Sequence, residues 1–200
     1  MKQALKSELS KQIILNEAFK LFYEEGFKTT SIEKIMKATS LTKGAFYHHY
    51  SNKKELGLEV ITQKVQSRVQ KRMIYPLYNN GNAYNILETI FLDSLKSFSL
   101  YDKKHGCPTN NLINEIGDFE KVYQKALKNI IEEWKSALTD LIERGKNENT
   151  IKKEISSAAV AIYLISAFEG IRGIRKLYDD DIIINEYLNG LALYLHQLKQ

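Results

Sequence analysis

A chain of 200 residues with one cysteine, two prolines and a formal net charge of +5 can bury a real hydrophobic core, as one large domain or as a small one joined to a larger one. Cys107 stands alone, so no intramolecular disulfide is available; this suits a reducing interior, and the cytoplasm is the expected location. No apolar segment follows Lys2 and Lys6, and no stretch approaches the ~18 consecutive apolar residues of a membrane span, so neither export nor a membrane partner is expected.

Few prolines and many Leu, Ile, Lys, Glu and Ala residues indicate an all-α chain without internal repeats. The charge is unevenly placed. Residues 1–54 carry ten lysines against five glutamates and the rest of the chain balances, which is the pattern of a polyanion-binding head on a neutral body. A lysine excess by itself also describes a solvated face, so motifs have to decide.

In the first helix Ile14, Ala18, Leu21 and Phe22 form a buried stripe that Gly26 can close. Thr30 and Glu33 have capping-box spacing, and Ile32, Ile35 and Met36 turn inward along a short second helix. A further short helix opens near Thr42, with Leu41 and Phe46 apolar and Tyr50 at its end, making a helix-turn-helix. Ser40 occupies the turn position where glycine is often found. The second helix of the pair presents Thr42, Lys43, Gly44, Ala45, Tyr47, His48 and His49, small or hydrogen-bonding groups suited to a groove floor and its phosphate walls.

Phe22, Gly26, Thr30-Ser31-Ile32, Ile35, Leu41-Thr42-Lys43-Gly44-Ala45-Phe46-Tyr47, Tyr50, Lys53 and Leu56 together resemble the signature of the TetR family. The resemblance implies that Thr42, Lys43, Gly44 and Ala45 open a recognition helix continued by Tyr47, His48 and His49. Lys53 then lies at the start of helix four, and Thr29, Thr30 and Ser31 offer phosphate contacts from a helix N-terminus. The competing reading makes Tyr47 and Tyr50 core aromatics and the two histidines solvated surface; Tyr50 stands where the family has a packing aromatic.

Ser51 can cap a long fourth helix running through Leu56, Val60, Ile61, Val65 and Val69 toward Pro76. Lys64, Arg68, Lys71 and Arg72 on it read as a solvated face rather than further DNA contacts. In the family this helix links ligand site to reading head. After the loop Asn79–Asn82, Ile86, Leu87, Ile90, Phe91, Leu95 and Phe98 mark a core helix. The run from His105 to Leu112 breaks the pattern at Gly106 and Pro108, where another helix starts. Gly106-Cys107-Pro108 followed by Asn111-Leu112 resembles a motif of one branch of TetR regulators, some of which respond to electrophiles or small organic molecules. A helix N-terminus with Lys103, Lys104 and His105 nearby would favour a Cys107 thiolate; a packed, inert thiol is the alternative.

Residues 118–144 form a long amphipathic helix closed by Gly145, in which Tyr123 and Trp134 are core or pocket aromatics. Ser156 can cap a helix rich in small residues, and a last helix carries Tyr187, Leu188, Leu191, Ala192 and Leu195. The pair resembles the two terminal helices through which TetR proteins dimerise. Glu169 and Arg172 are pocket or rim residues.

The expected organisation is a three-helix helix-turn-helix domain over 1–54 and a helical ligand-binding and dimerisation domain over 55–200, about nine helices in all. The expected partners are a pseudo-palindromic double-stranded DNA, a small-molecule effector and a second copy of the chain. Cys107, Asn111, Tyr123, Trp134 and Glu169 are the candidate effector or sensor residues. No cofactor or metal is called for. An enzyme built on Cys107 and His105 lacks any activating constellation, and a constitutive DNA-binding protein without a switch is the other alternative.

Overall fold

The computed structural model describes residues 2–200, which are helical apart from turns and one isolated bridge between Ile151 and Lys199. The all-α expectation holds, and the helix-turn-helix head forms as read. Helix α1 (Lys2–Glu25) ends where Gly26 takes φ +96°, a left-handed value that glycine adopts without Cβ strain. Helix α2 (Ile32–Thr39) is capped by Ser31, whose hydroxyl accepts the Lys34 N–H at 3.1 Å. The Thr30–Glu33 capping box therefore does not form: the Thr30 side chain is buried, and its hydroxyl donates to the Gly26 carbonyl at 2.7 Å. Ser40, in place of the usual turn glycine, adopts φ +56°.

Helix α3 (Lys43–His49) starts beside Thr42, and the Thr42 hydroxyl caps it by accepting the Ala45 N–H at 3.2 Å. Asn52 rather than Ser51 caps α4 (Lys53–Glu59), and Glu55 reciprocates by accepting the Ser51 N–H at 2.8 Å. The chain continues through a wide π turn over Val60–Val65, α5 (Gln66–Val69) and a second π turn over Gln70–Ile74, to a 3₁₀ turn containing Pro76.

Further along lie α6 (Ala83–Ser97), α7 (Leu100–His105), α8 (Pro108–Ile116), α9 (Lys121–Asn147), α10 (Ser157–Ile174) and α11 (Ile182–Leu198). Helix α9 outruns its expected end at Gly145. That glycine sits inside the helix, where the Ile151 side chain occupies the space a Cβ would need, and the chain turns at Asn149 with φ +55°. Ser156 caps α10 as expected.

The chain forms two compact units. One comprises the residues up to Ser67 together with Asn111–Lys128; the other comprises Arg68–Asn110 and Asn129–Gln200. In the first, Ile14, Ala18, Phe22, Ile35, Phe46 and Leu56 build the core beneath α3. In the second, the Phe168 ring meets Phe91 and Trp134 edge-on, at 5.7 and 5.8 Å between centroids. By length and composition the run Ser157–Leu177 is apolar enough to cross a membrane, but within this unit α10 buries Val160, Ala161, Leu164, Ile165 and Phe168.

Candidate DNA interface and effector cavity

The two faces of α3 divide sharply. Phe46 and Tyr50 are buried, in keeping with Tyr50 as a packing aromatic, whereas Thr42, Lys43, Gly44, Tyr47 and His48 are exposed, with Tyr47 at 59 %. Ala45 and His49 are half-buried. Thr42 contributes its hydroxyl to the helix start, and Gly44 leaves the backbone open, the nearest atom to a notional Cβ being the Thr42 Oγ1 at 3.7 Å.

Lys43 pairs with Glu33 of α2 at 2.6 Å across the helix-turn-helix; this contact raises the lysine and lowers the glutamate from their ordinary values. His48 and His49 reach back to Ser7 and Ser10 of α1, at 3.3 and 2.7 Å. Burial, the neighbouring His48 and Lys11 all hold the His49 imidazole below its usual range.

Of the residues before α2, Thr29 and Ser31 are exposed and only Thr30 turns its side chain inward. The segment leading to them is held by a residue that sequence spacing did not single out. The Glu115 carboxylate of α8 accepts the N–H groups of Phe27 at 2.7 Å and Lys28 at 2.5 Å, beside Gly26, where a Cβ would lie 3.1 Å from its oxygen. Lys53 lies over the Phe27 ring at 4.4 Å and donates to the Lys28 carbonyl at 3.4 Å; its partial burial lowers the ammonium, opposed by Glu115. Tyr123 also belongs here. It is buried edge-on against Phe27 at 5.6 Å and donates to the Lys54 carbonyl at 3.1 Å, a packing role within this unit.

Within the second unit, Cys107, Trp134 and Glu169 meet at a small cavity of about 20 Å³, together with Arg72, Thr109 and Arg172. Asn111, half-buried further along α8, does not line it. Arg68 and Arg72, read from sequence as a solvated face, turn instead toward the buried Asp102, which each guanidinium engages through a different carboxylate oxygen. Burial of Asp102 raises its carboxyl, but the Arg72 hydrogen bond and both guanidinium charges outweigh this and hold it below the ordinary value. Arg172 stacks over Phe98 at 4.4 Å and donates to the Gly106 carbonyl at 2.6 Å. Its other terminal nitrogen stays 3.8 Å from Glu169, too far for a hydrogen bond.

The electropositive setting expected for Cys107 is absent at the sulfur. Lys103 pairs with Asp181 at 2.6 Å and His105 bonds the Tyr101 carbonyl at 2.9 Å. Burial first, then the neighbouring Glu169, push the thiol up to about 11, against the smaller opposing effects of Arg172 and the Asn110 N–H. The thiol is therefore protonated at neutral pH. Three polar atoms at this cavity, Thr109 Oγ1, Trp134 Nε1 and Glu169 Oε2, are buried without a hydrogen-bond partner among the described residues.

The family model for bacterial regulatory proteins of the tetR family matches residues 14–60, and that for a tetracyclin repressor-like C-terminal domain matches residues 87–191. The chain belongs to the TetR family. It is, with its relatives, a helix-turn-helix transcriptional regulator. An HTH-type regulator from the lacX 3′ region of Lactococcus lactis subsp. lactis is 30 % identical over 145 residues, covering 66 % of this chain and 71 % of the relative. The HTH-type transcriptional repressor DhaR of Mycobacterium sp. (strain GP1) is 23 % identical, over 80 % of this chain and 79 % of its own. In fold, a TetR regulator from Chloroflexus aurantiacus J-10-FL superposes with a TM-score of 0.86 at 24 % identity, over 97 % of this chain and 98 % of its own. The reduced form of Escherichia coli NemR gives 0.81 at 18 %, over 96 % and 97 %.

Proposed function

We propose that this TetR-family chain is a cytoplasmic homodimeric repressor that holds a pseudo-palindromic operator and releases it when a small molecule opens and occupies the Cys107–Trp134–Glu169 cavity. The exposed face of α3 carries the reading: Thr42, Lys43, Gly44, Tyr47 and His48, with the half-buried Ala45 and His49 beside them, enter the major groove. Lys53 and the Thr29–Ser31 segment engage phosphate, with Thr30 contributing through its main chain because its hydroxyl is committed inward. Residues 1–54 act as the reading head, and 55–200 sense and dimerise.

The terminal helices support pairing with a second copy. On α10 and α11, Ile162, Tyr163, Ile182 and Leu193 are exposed, and nothing lies within 4 Å of where a Cβ would stand at Gly170 or Gly190, so a partner helix can approach closely. The effector acts by population shift, binding more tightly to a dimer whose heads are wrongly spaced for successive major grooves. The role is regulatory rather than enzymatic. The Gly106-Cys107-Pro108 and Asn111-Leu112 motif supports membership of the small-molecule-responsive branch.

Modification of Cys107 is a second route to release; with its thiol buried and protonated, it requires the cavity to open first. Fluorescence anisotropy against the DNA upstream of the chain's own gene, at two salt concentrations, tests the proposal. Tight, salt-sensitive binding by a dimer supports it, and its absence there and on a random operator library refutes it. Release by a thiol-reactive electrophile that Cys107→Ser abolishes supports the covalent route; an identical response in the variant ends it.

A further inference from the structure

An asparagine followed by glycine is prone to lose its side-chain amide without any enzyme, because the next main-chain nitrogen can close a five-membered ring on Cγ and glycine puts no Cβ in its way. The chain holds two such pairs, Asn80-Gly81 and Asn189-Gly190. Both asparagines are exposed, so access to solvent does not distinguish them. The backbone does.

Asn189-Gly190 lies inside α11, where each main-chain N–H donates to the carbonyl four residues back, so ring closure needs that turn of helix to open first. Asn80-Gly81 lies outside any helix, in the connection 79–82 between the 3₁₀ turn at Pro76 and α6. Gly81 takes φ +125°, a value that favours glycine, so the turn itself calls for the residue that leaves the nitrogen unshielded. Neither the Gly81 N–H nor the Asn80 side-chain amide has a hydrogen-bond partner among the described residues. The carbonyls on either side do: those of Asn79 and Gly81 accept from Arg144 at 3.3 and 3.4 Å. The loop is anchored at its flanks and open at the reacting link.

We propose that Asn80 is a site of spontaneous deamidation, a built-in marker of the age of the chain. The Gly81 nitrogen gives up its proton to solvent base and attacks Asn80 Cγ; the Cγ–Nδ2 bond breaks, and the amide nitrogen leaves as ammonia. Water then opens the succinimide at either carbonyl, giving aspartate or, where the main chain runs on through Cβ and Cγ, isoaspartate. One water is consumed and one ammonia released, with no oxidant or reductant. Each event lowers the formal net charge of +5 by one. The isoaspartate form also adds a methylene to the main chain between the Asn79 and Gly81 carbonyls, which the Arg144 guanidinium now spans.

The test ages the full-length protein in mildly alkaline buffer, with a parallel sample in urea, and follows tryptic peptides 73–96 and 177–199 by tandem mass spectrometry. In the folded protein, Asn80 is expected to gain about 1 Da, as separable aspartate and isoaspartate forms, at least about tenfold faster than Asn189. In urea the helix is gone and the two rates should converge. Asn80→Gln, at an exposed position, would need a slower six-membered ring and should abolish the fast shift.

An Asn80 that reacts no faster than Asn189 in the folded protein overturns the site, as does a shift in peptide 73–96 that survives Asn80→Gln. Rates that stay apart in urea trace the difference to sequence and overturn the structural argument. Aspartate without isoaspartate overturns the ring-closure route.

Discussion

Replacing Glu115 by alanine removes the acceptor for two consecutive main-chain N–H groups, those of Phe27 and Lys28, at the turn that leads from α1 to α2. The two losses are unequal. The Phe27 contact is part-buried and the Lys28 contact is exposed, so water replaces the second acceptor at little cost while the first stays poorly satisfied. A hydrogen bond to a charged group contributes about 1.5–3 kcal/mol, which puts the net loss near the middle of that range, about 2 kcal/mol. For a chain of this length each kcal/mol moves the Tm by roughly 2–4 °C, so Glu115→Ala should melt about 4–8 °C below the wild type by calorimetry or circular dichroism.

Glu115→Gln keeps one carbonyl acceptor and should recover about half of that shift. Hydrogen exchange adds a local readout: the Phe27 and Lys28 amides should lose protection in the alanine variant while α10 and α11 keep theirs. Operator affinity should fall as well, since the same turn sets the entry to Thr29–Ser31. A Tm within about 1 °C of the wild type, with unchanged exchange at Phe27, would refute the clamp.

Gly57 faces a crowded wall, with a Cβ there only 2.6 Å from the Phe27 ring and 2.9 Å from the Tyr123 hydroxyl; Gly57→Ala should destabilise by about 1–3 kcal/mol in urea denaturation. Asp102→Asn removes the charge that both Arg68 and Arg72 engage and should cost about 2–3 kcal/mol, less than a fully buried pair because Arg72 is partly exposed. Because the folded-state carboxyl of Asp102 lies below its unfolded value, its contribution is complete above the unfolded value near 3.8 and is lost as pH falls through the folded one. The stability gap between wild type and Asp102→Asn should therefore close on acid titration below about pH 4, and a gap that persists there would contradict the assignment. With its thiol buried and raised to about 11, Cys107 should react with a disulfide reagent at pH 7 far more slowly in the folded protein than in denaturant, a difference stopped-flow absorbance measures.

What could be read along the chain was what depends on near neighbours. The stripe of Ile14, Ala18 and Phe22, the helix start near Thr42, the cap at Ser156, the stop at Gly26 and the lysine-rich first quarter each follow from residues a turn or two apart, because helix periodicity and capping geometry have fixed spacings. Even there, a choice between adjacent hydroxyls was settled by packing: Thr30 caps nothing because its side chain is taken into the core, and Ser31 caps α2 in its place. The tertiary structure alone brought Glu115 to amides 88 and 87 residues away, turned Arg68 and Arg72 from an expected solvated face onto Asp102, and set Tyr123 against Phe27 and the Lys54 carbonyl. It also reversed the chemistry expected of Cys107, since the lysines beside it in sequence do not surround its sulfur, and the thiol is governed by burial and by Glu169, which lies 62 positions further along the chain. Charges and hydrogen-bond partners act through space, so side chains whose roles depend on distant groups acquire them only when the helices pack.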